Sequence, residues 1–514
     1  MGPRPLSVSL EQGTYVLLVL TNLTFSGICA AIRLETQLNL ASYEIFDLEP
    51  ELGGTWWSNT YPGVACDIKS HNYAFSFEPN YDWSCVYAGG AEILEYLRRV
   101  ARKYGVDSKI QFRHRVARLE WRADLQKWRI GIEKLETGET FERDYDLVFA
   151  GMGPLRVPNI PEEFDAFEGP KWHTAQWNHE FDLTGKRIAV VGSGASAIQV
   201  VPSIVDKVKT LEFYQRSATY IIPRRNGRYN AVWRFFFRHV PFFHWIYYTF
   251  LYYSTEFTIQ AFSTKWRHIF TRLFAVWGAW LVRRVNIKDR QLRTKLTPHY
   301  QLGCRRIVVS SDFYPALQRS HVNVHTTGIQ SVKGNTITLK DGTTQKVDAM
   351  VLATGFRIMD ILPEGSVFGK DGCDVVKVWG MDPKTYYGVT SAETPNMFFL
   401  LGPNTGLGHN SVLFMVESQV DFAIKTISFM MQNELSSVQA TGKACQDFVD
   451  LVGDKMKEMV WSSNCHSWYK NEQGRVTALW HWDCSSYARK LRKFRPEHFL
   501  GVRRTKNGFD SMYV

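Results

Sequence analysis

Short apolar runs and helical repeats alternate along this chain of 514 residues. The five apolar residues Val16–Leu20 predict a strand, and the following "FSGICAAIRL" predicts a helix opening around Gly27. "YEIFDLEP" over Tyr43–Pro50 predicts a second strand ending at Asp47. Residues Ala91–Tyr104 place Ile93, Leu94, Leu97, Val100 and Ala101 at helical spacing. "DLVFAGMGPLRVPNIP" reads as a strand running into a Gly/Pro loop, a crossover out of a first domain. "GKRIAVVGSGASAIQVVPSI" then repeats the strand–glycine–helix pattern, and "DAMVLATGF" over Asp348–Phe356 returns as a strand to a glycine turn. The stretch Asn226–Asn286 is aromatic and basic and predicts an inserted helical subdomain, and the tail from Gln432 to Val514 reads as helical, then irregular. The alternation predicts an α/β fold of two Rossmann-like dinucleotide-binding domains with a helical insertion.

Length and composition narrow the class. A chain this long exceeds one ordinary core, with 45% apolar and 22% charged residues, as in a soluble globular protein. The net charge of +11 is carried by Lys and Arg scattered through the chain. It favours anionic cofactors or a membrane surface, and no nucleic-acid motif accompanies it. The eight cysteines show neither C-x-x-C nor zinc spacing, so no metal site is predicted and free thiols in a reducing compartment are expected. The N-terminal stretch does not read as a signal peptide, and a cytoplasmic protein is expected. Val240–Tyr253, "VPFFHWIYYTFLYY", is shorter than the ~20 residues of a spanning helix. It reads as a buried or amphipathic helix, or as a place of peripheral contact with a membrane or a greasy substrate.

The chemistry begins at the second glycine loop. Gly192 and Gly194 occupy the first two positions of G-x-G-x-x-G and Ala197 the third, with Ser193, Ala195 and Ser196 between them. The first glycine allows the tight turn, the second lets backbone approach a pyrophosphate, and a small third residue permits close helix–strand packing. The helix N-terminus offers N–H donors to that anion. The next strand ends in Gln215-Arg216, where an NAD site would carry an acid. A guanidinium there suits a 2′-phosphate, so NADP is predicted.

The opening stretch is a degraded counterpart, with Asn22, Thr24 and Gly27 at the three glycine positions. Asp47 follows Gly27 by about 20 residues, the spacing of a ribose-binding carboxylate. Thr24 sets a Cβ where a pyrophosphate should approach.

The motifs "GGTWWSNTYPGVACD", "FEGPKWHTAQWN", "GSGASAIQ", "LGCRR" and "LATGF" together resemble the flavin-dependent Baeyer–Villiger monooxygenases, from about Phe25 to Leu500. The second matches the family signature F-x-G-x-x-x-H-x-x-x-W-[P/D] at Phe167, Gly169, His173 and Trp177, departing only at Asn178. The resemblance implies an FAD domain built from both chain ends (1–180 and 341–514) and an NADP domain (181–340) carrying the helical insertion, about 226–300. It implies FAD contacts at Asp47, Thr55, Trp56, Trp57, Ser58, Ala65, Cys66, Asp67, Tyr73 and Val116. In such enzymes NADPH reduces FAD, O2 adds at flavin C4a, and the peroxyflavin attacks a ketone to give an ester or lactone.

The family's catalytic arginine corresponds to Arg306, with Arg305 where lysine is usual. A permanently charged guanidinium can keep a peroxide anion deprotonated throughout the cycle, and Asp67 is the family carboxylate that would hold it. His173 is expected to couple domains. The aromatic insertion suggests a bulky apolar ketone, in the style of secondary metabolism. Two other readings remain: an N- or S-oxygenating flavin monooxygenase, and a non-catalytic NADP-binding or scaffold protein with a decayed FAD site. Asn22 and Thr24 leave open a natural chain with weakened FAD binding, or residues before Phe25 that come from a mis-predicted exon.

Overall fold

The computed structural model describes residues 16–19, 25–151, 153, 155–358, 362–464, 467–505 and 508–513. Two five-stranded parallel sheets organise them. In the first, β1 (Val16–Val19) pairs on one side with β2 (Tyr43–Phe46), which pairs with β3 (Ile110–Gln111). On its other side β1 pairs with β4 (Leu147–Ala150), and β4 with the late strand Met397–Phe399. Helix α1 (Phe25–Leu38) connects β1 to β2. The order therefore reverses beside β1, and in open parallel sheets ligands bind beyond the strand ends at that switch point.

The second sheet repeats the plan. Strand β5 (Lys171–His173) is its edge, and β6 (Arg187–Val191) lies between β7 (Thr210–Tyr214) and β9 (Ala349–Leu352). The remaining strand, β8 (Val322–His325), pairs with β7. Helix α2 (Ala195–Ile204) leaves β6 at the glycine loop. The sheet is buried on both faces, which is why its strands read as continuous apolar runs. Ile188 and Val190 of β6 join α2 in one cluster, while Ala189 and Val191 face another built on Phe164 and Phe167.

This sheet runs from Lys171 to Leu352, wider at both ends than the 181–340 expected from sequence. The reason is pairing: β5 and β9 add to the same edge, placing the signature segment inside the second sheet. Between β7 and β8 lies the insertion, with α3 (Ala231–His239), α4 (Phe243–Glu256) and α5 (Ile269–Asn286). Asn230 caps α3 by accepting a bond from the Trp233 amide at 3.1 Å.

Two features departed from the sequence reading. An antiparallel ribbon of His114–Arg122, Lys127–Lys134 and Thr140–Tyr145 follows the first sheet's β3. Its signal was present in "KWRIGIEK", where Trp128, Ile130 and Ile132 alternate inward. The tail is not irregular at its end: Phe499–Thr505 pairs antiparallel with both Leu435–Ala440 and Gly508–Tyr513. These short, polar strands acquire their conformation from pairing, which sequence periodicity does not reveal. Cys29, Cys66, Cys85, Cys373, Cys445 and Cys484 carry free thiols, whereas Cys304 is disulfide-bonded, against the expectation of free thiols throughout.

Candidate active site

The two sheets meet through the loop Tyr61–Asp67. Gly63, at φ +84°, lies flush against α2, where an added Cβ would come within 2.7 Å of the Gln199 carbonyl oxygen. Gln199 clasps the same loop: its Oε1 accepts from Tyr61 Oη at 2.8 Å and from the Ala65 amide at 3.4 Å. Its Nε2 donates to the Ala65 carbonyl at 2.9 Å. The loop that ends in Asp67 is thereby registered against the helix of the second glycine loop.

Asp67 accepts both prongs of Arg306, from Nε at 2.8 Å and Nη2 at 2.9 Å. Arg306 Nη1 also donates to the Leu407 carbonyl at 3.3 Å. Burial alone would raise the Asp67 carboxyl, but the charge and hydrogen bonds of Arg306 outweigh it and hold the pKa below its ordinary value. The Asp67 charge raises the guanidinium in turn, so both groups are ionised at neutral pH. The Arg306 and Asp67 side chains keep 27% and 24% of their surface accessible, respectively, so a ligand can reach the pair.

The adjacent arginine faces the other way. Arg305 Nη1 donates to Ser217 Oγ, and its guanidinium lies over the Tyr300 ring at 4.8 Å. Ser217 belongs to the nucleotide side, since its carbonyl accepts from Ser193 Oγ at 2.8 Å. Thr219 Oγ1 donates to the Ser193 carbonyl at 2.6 Å. One dipeptide thus reaches both halves of the site.

The second glycine loop fits a dinucleotide. Gly192 has φ +119°, and a Cβ there would lie 2.2 Å from the Ala353 carbonyl oxygen, so a side chain is excluded. Gly194 starts α2, and a Cβ on it would meet nothing within 4 Å, leaving backbone open to a phosphate. Ala197 is fully buried against the sheet, Ala195 is exposed and Ser196 half-buried. At the end of β7, Arg216 is exposed, while Gln215 turns inward and donates to the Lys295 carbonyl at 3.0 Å. The backbone and Arg216 therefore fit NADP. Gln215 acts in this structure as a strut beneath them.

The FAD side is built around the first sheet. Asp47 is fully buried just past β2 and accepts from the Glu49 amide at 2.9 Å. Gly53 at φ +129° and Gly54 at φ 50° make the turn into the short helix Thr55–Ser58, whose four side chains are half-buried. Trp56 Nε1 donates to Tyr73 Oη at 3.3 Å, and the two rings meet edge to face. Tyr73 also packs edge-on against Phe25 at the start of α1, bringing this aromatic wall to the switch point of the sheet. Burial raises the Cys66 thiol beside Asp67, leaving it protonated. Val116 lies apart from these groups on the ribbon, half-buried and paired with Ile132. Gly27 is buried inside α1, while Asn22 and Thr24 lie outside the described residues. The buried carboxylate, the Gly53–Gly54 turn and the aromatic wall fit FAD.

His173 is fully buried at the end of β5. Its Nδ1 accepts from the Ala175 amide at 3.1 Å, and its ring meets Phe356 edge to face. Burial lowers its pKa to about 4, so it is neutral. Phe356 bridges to Pro158, and the Asn159 carbonyl accepts from Thr354 Oγ1 at the same crossing. His173 therefore stands where the chain passes between the two sheets.

Sequence reasoning missed Gln199 and Tyr61, although both lie in quoted motifs, because their contact joins positions 138 residues apart. It also missed the tie from the insertion. Glu256, the last residue of α4, accepts from Asn410 Nδ2 at 2.7 Å, from His409 Nε2 at 3.2 Å and from the Ser485 amide at 3.3 Å. His409 and Asn410 follow Leu407, so this carboxylate anchors the segment that contacts Arg306. With the buried Cys484 thiol, Glu256 and His409 form a compact trio of groups able to bind a metal.

Comparison with known proteins agrees with this geometry. A family model for L-lysine 6-monooxygenase/L-ornithine 5-monooxygenase matches residues 85–226. The chain is 37% identical to a Baeyer-Villiger monooxygenase of Pseudomonas aeruginosa over 467 residues, covering 89% of this chain and 86% of that one. It is 32% identical to the FAD-binding monooxygenase ktnD of Aspergillus niger over 487 residues, covering 92% and 80%. A solved structure titled oxidized steroid monooxygenase bound to NADP superposes with a TM-score of 0.82 at 24% identity, covering 95% of this chain and 100% of that one. With the second glycine loop and the arginine–aspartate pair in one frame, and with these curated relatives at 37% and 32% identity over most of both chains, the chain belongs to the Baeyer–Villiger monooxygenases, flavoenzymes that use FAD and NADPH.

Proposed function

We propose that this protein inserts oxygen into a bulky apolar ketone, giving an ester or lactone, in the biosynthesis of a secondary metabolite. The observation that carries the reading is the Asp67–Arg306 pair, ionised and reachable between the two nucleotide-binding sheets. When bound, FAD supplies the oxygen-activating redox chemistry and NADPH the hydride. The protein's part is to hold both nucleotides and to present a fixed positive charge where negative charge develops. Arg306 can do this without losing its proton, and Asp67 keeps it oriented. The aromatic composition of the insertion suggests an apolar substrate, and Glu256 ties that insertion to the segment bearing Leu407.

N- or S-oxygenation is the second reading. The family model that favours it spans 85–226, which includes the second glycine loop but neither Asp67 nor Arg306. A ketone is therefore preferred. The test is to supply the purified flavoprotein with NADPH, O2 and matched ketone, thioether and amine substrates, and to identify the products. Esters or lactones from the ketones are expected; exclusive N- or S-oxides would overturn the assignment. NADPH binding by a protein that takes up no FAD would favour the scaffold reading.

We place the protein in the cytoplasm, with peripheral membrane contact through residues 240–253. Among the described residues, no helix is long and apolar enough to cross a membrane. Phe242, Trp245, Ile246, Phe250 and Tyr253 nevertheless stand exposed on this segment, which supports contact from one side.

A further inference from the structure

Exposed apolar surface in this protein is concentrated on the insertion. Twenty of the 29 exposed large apolar side chains among the described residues fall between Val232 and Val285. They are ordered. On α5, Phe270, Leu273, Phe274, Trp277 and Leu281 follow helical spacing and form a stripe that faces solvent, with Phe270 81% exposed. On α4 the outward stripe is Trp245, Ile246, Phe250 and Tyr253. A soluble surface helix normally turns such a stripe toward the core, and an exposed patch of this extent marks an interaction site.

Charge says what the surface meets. Residues 226–286 contain eight Lys or Arg and a single acid, Glu256, so the insertion carries +7 of the chain's net +11. That acid is buried against Asn410 and offers no outward negative charge. Arg267 and Arg284, at the two ends of α5, stand exposed. A second copy of this face would oppose +7 with +7, which disfavours self-pairing. An anionic bilayer matches both features at once, since aromatic rings settle at the headgroup level and Arg side chains pair with phosphates.

We propose that α3, α4 and α5 form a docking surface for an anionic phospholipid bilayer, with the apolar stripes of α4 and α5 lying in the interfacial plane. The inference rests on the peripheral-contact reading above and extends it to a partner of stated chemistry and to α5. It also gives the insertion a task. An apolar ketone concentrates in a bilayer, and α4 runs from that surface to Glu256, beside the segment that contacts Arg306.

The test is flotation of the FAD-loaded protein with vesicles of phosphatidylcholine, with or without phosphatidylglycerol. Recovery with the phosphatidylglycerol vesicles is expected, falling as salt is raised. The variant Phe270→Ser/Phe274→Ser/Trp277→Ser removes exposed side chains, so its fold should persist. It should bind at least about ten-fold more weakly while oxidising a water-soluble ketone normally without vesicles. Arg267→Glu/Arg284→Glu should reduce binding to anionic vesicles only. Absence of binding to phosphatidylglycerol vesicles, or equal binding by parent and triple variant, overturns the proposal. So does self-association that the triple variant abolishes without any vesicle binding, which would make this a subunit interface. Vesicle binding without ketone oxidation would sink the functional reading and leave this one standing; the converse would do the reverse.

Discussion

Arg306 and Asp67 lie 239 residues apart in sequence and form a two-pronged ion pair at 2.8 and 2.9 Å. Removing either member leaves the other charged and only partly solvated, which is costly. Arg306→Ala should lower ketone oxygenation by about 10²–10³-fold, the usual effect of losing a charge that faces the reacting group. FAD content should hardly change. Asp67→Ala should act more mildly, by freeing the guanidinium from its position. Product yield per NADPH consumed separates loss of chemistry from loss of nucleotide binding. Normal yield in Arg306→Ala would remove this residue from the mechanism.

The same pair sets an acid limit. Because the folded-state pKa of Asp67 is lowered, its stabilisation is complete above the unfolded value of about 3.9. It is lost as pH falls through the lower folded value. Asp67→Asn should therefore reduce the denaturation midpoint at neutral pH and approach the parent in strong acid. A constant difference at every pH would show that the charge is not the source.

Arg216 is exposed at the end of β7, where a 2′-phosphate would lie. NADPH should be preferred over NADH by about 1–3 kcal/mol, and Arg216→Ala should erase most of that preference. Steady-state kcat/KM for both nucleotides measures it. Equal use by the parent would reassign the residue.

Gln199 fastens the Tyr61–Asp67 loop to α2. Gln199→Leu would remove the bond to the Tyr61 hydroxyl and both bonds to Ala65, costing about 1–3 kcal/mol of stability. Flavin reduction by NADPH, followed anaerobically, should slow more than in Tyr61→Phe, which loses one of the three bonds. Equal rates in parent and Gln199→Leu would show that this clasp is not needed for the two halves to work together.

His71 and His244 meet across the insertion boundary, Nδ1 to Nε2 at 3.1 Å. Burial lowers them to about 3 and about 4 respectively, with the His244 charge adding to the effect on His71. The unfolded chain binds protons at these groups from about pH 6.5 downward. Their neutral packing therefore stabilises above that pH and is lost progressively toward pH 4. His244→Phe should show a shallower loss of thermal midpoint across this window; an unchanged slope would place acid sensitivity elsewhere.

In the sequence, Asn22 and Thr24 occupy two positions that a dinucleotide fingerprint gives to glycine, and both lie outside the described residues. Asn22→Gly/Thr24→Gly should recover two phosphate hydrogen bonds of about 1.5–3 kcal/mol each, tightening FAD binding by roughly 10²–10⁴-fold. Parallel FAD titrations decide it. Tight, equal binding by both proteins would show that this loop tolerates its side chains.

The sequence by itself determined the local chemistry. Gly192 and Gly194 announced a nucleotide loop because the first makes a turn that excludes a side chain and the second leaves backbone open to a phosphate, and the apolar runs around them announced buried parallel strands. Motif resemblance also singled out Asp67 and Arg306. Only the tertiary structure decided how those pieces join. Arg305 and Arg306 adjoin in sequence yet face opposite halves of the site, because the segment carrying them passes between Ser217 and Asp67. Gln199 became a clasp only when α2 met the Tyr61–Asp67 loop, and Gln215, placed at a cofactor position by its motif, turned inward to Lys295. The outward aromatic stripe of α5 has the same periodicity as a buried one. Periodicity tells which residues share a face, whereas only packing decides whether that face meets a core or solvent.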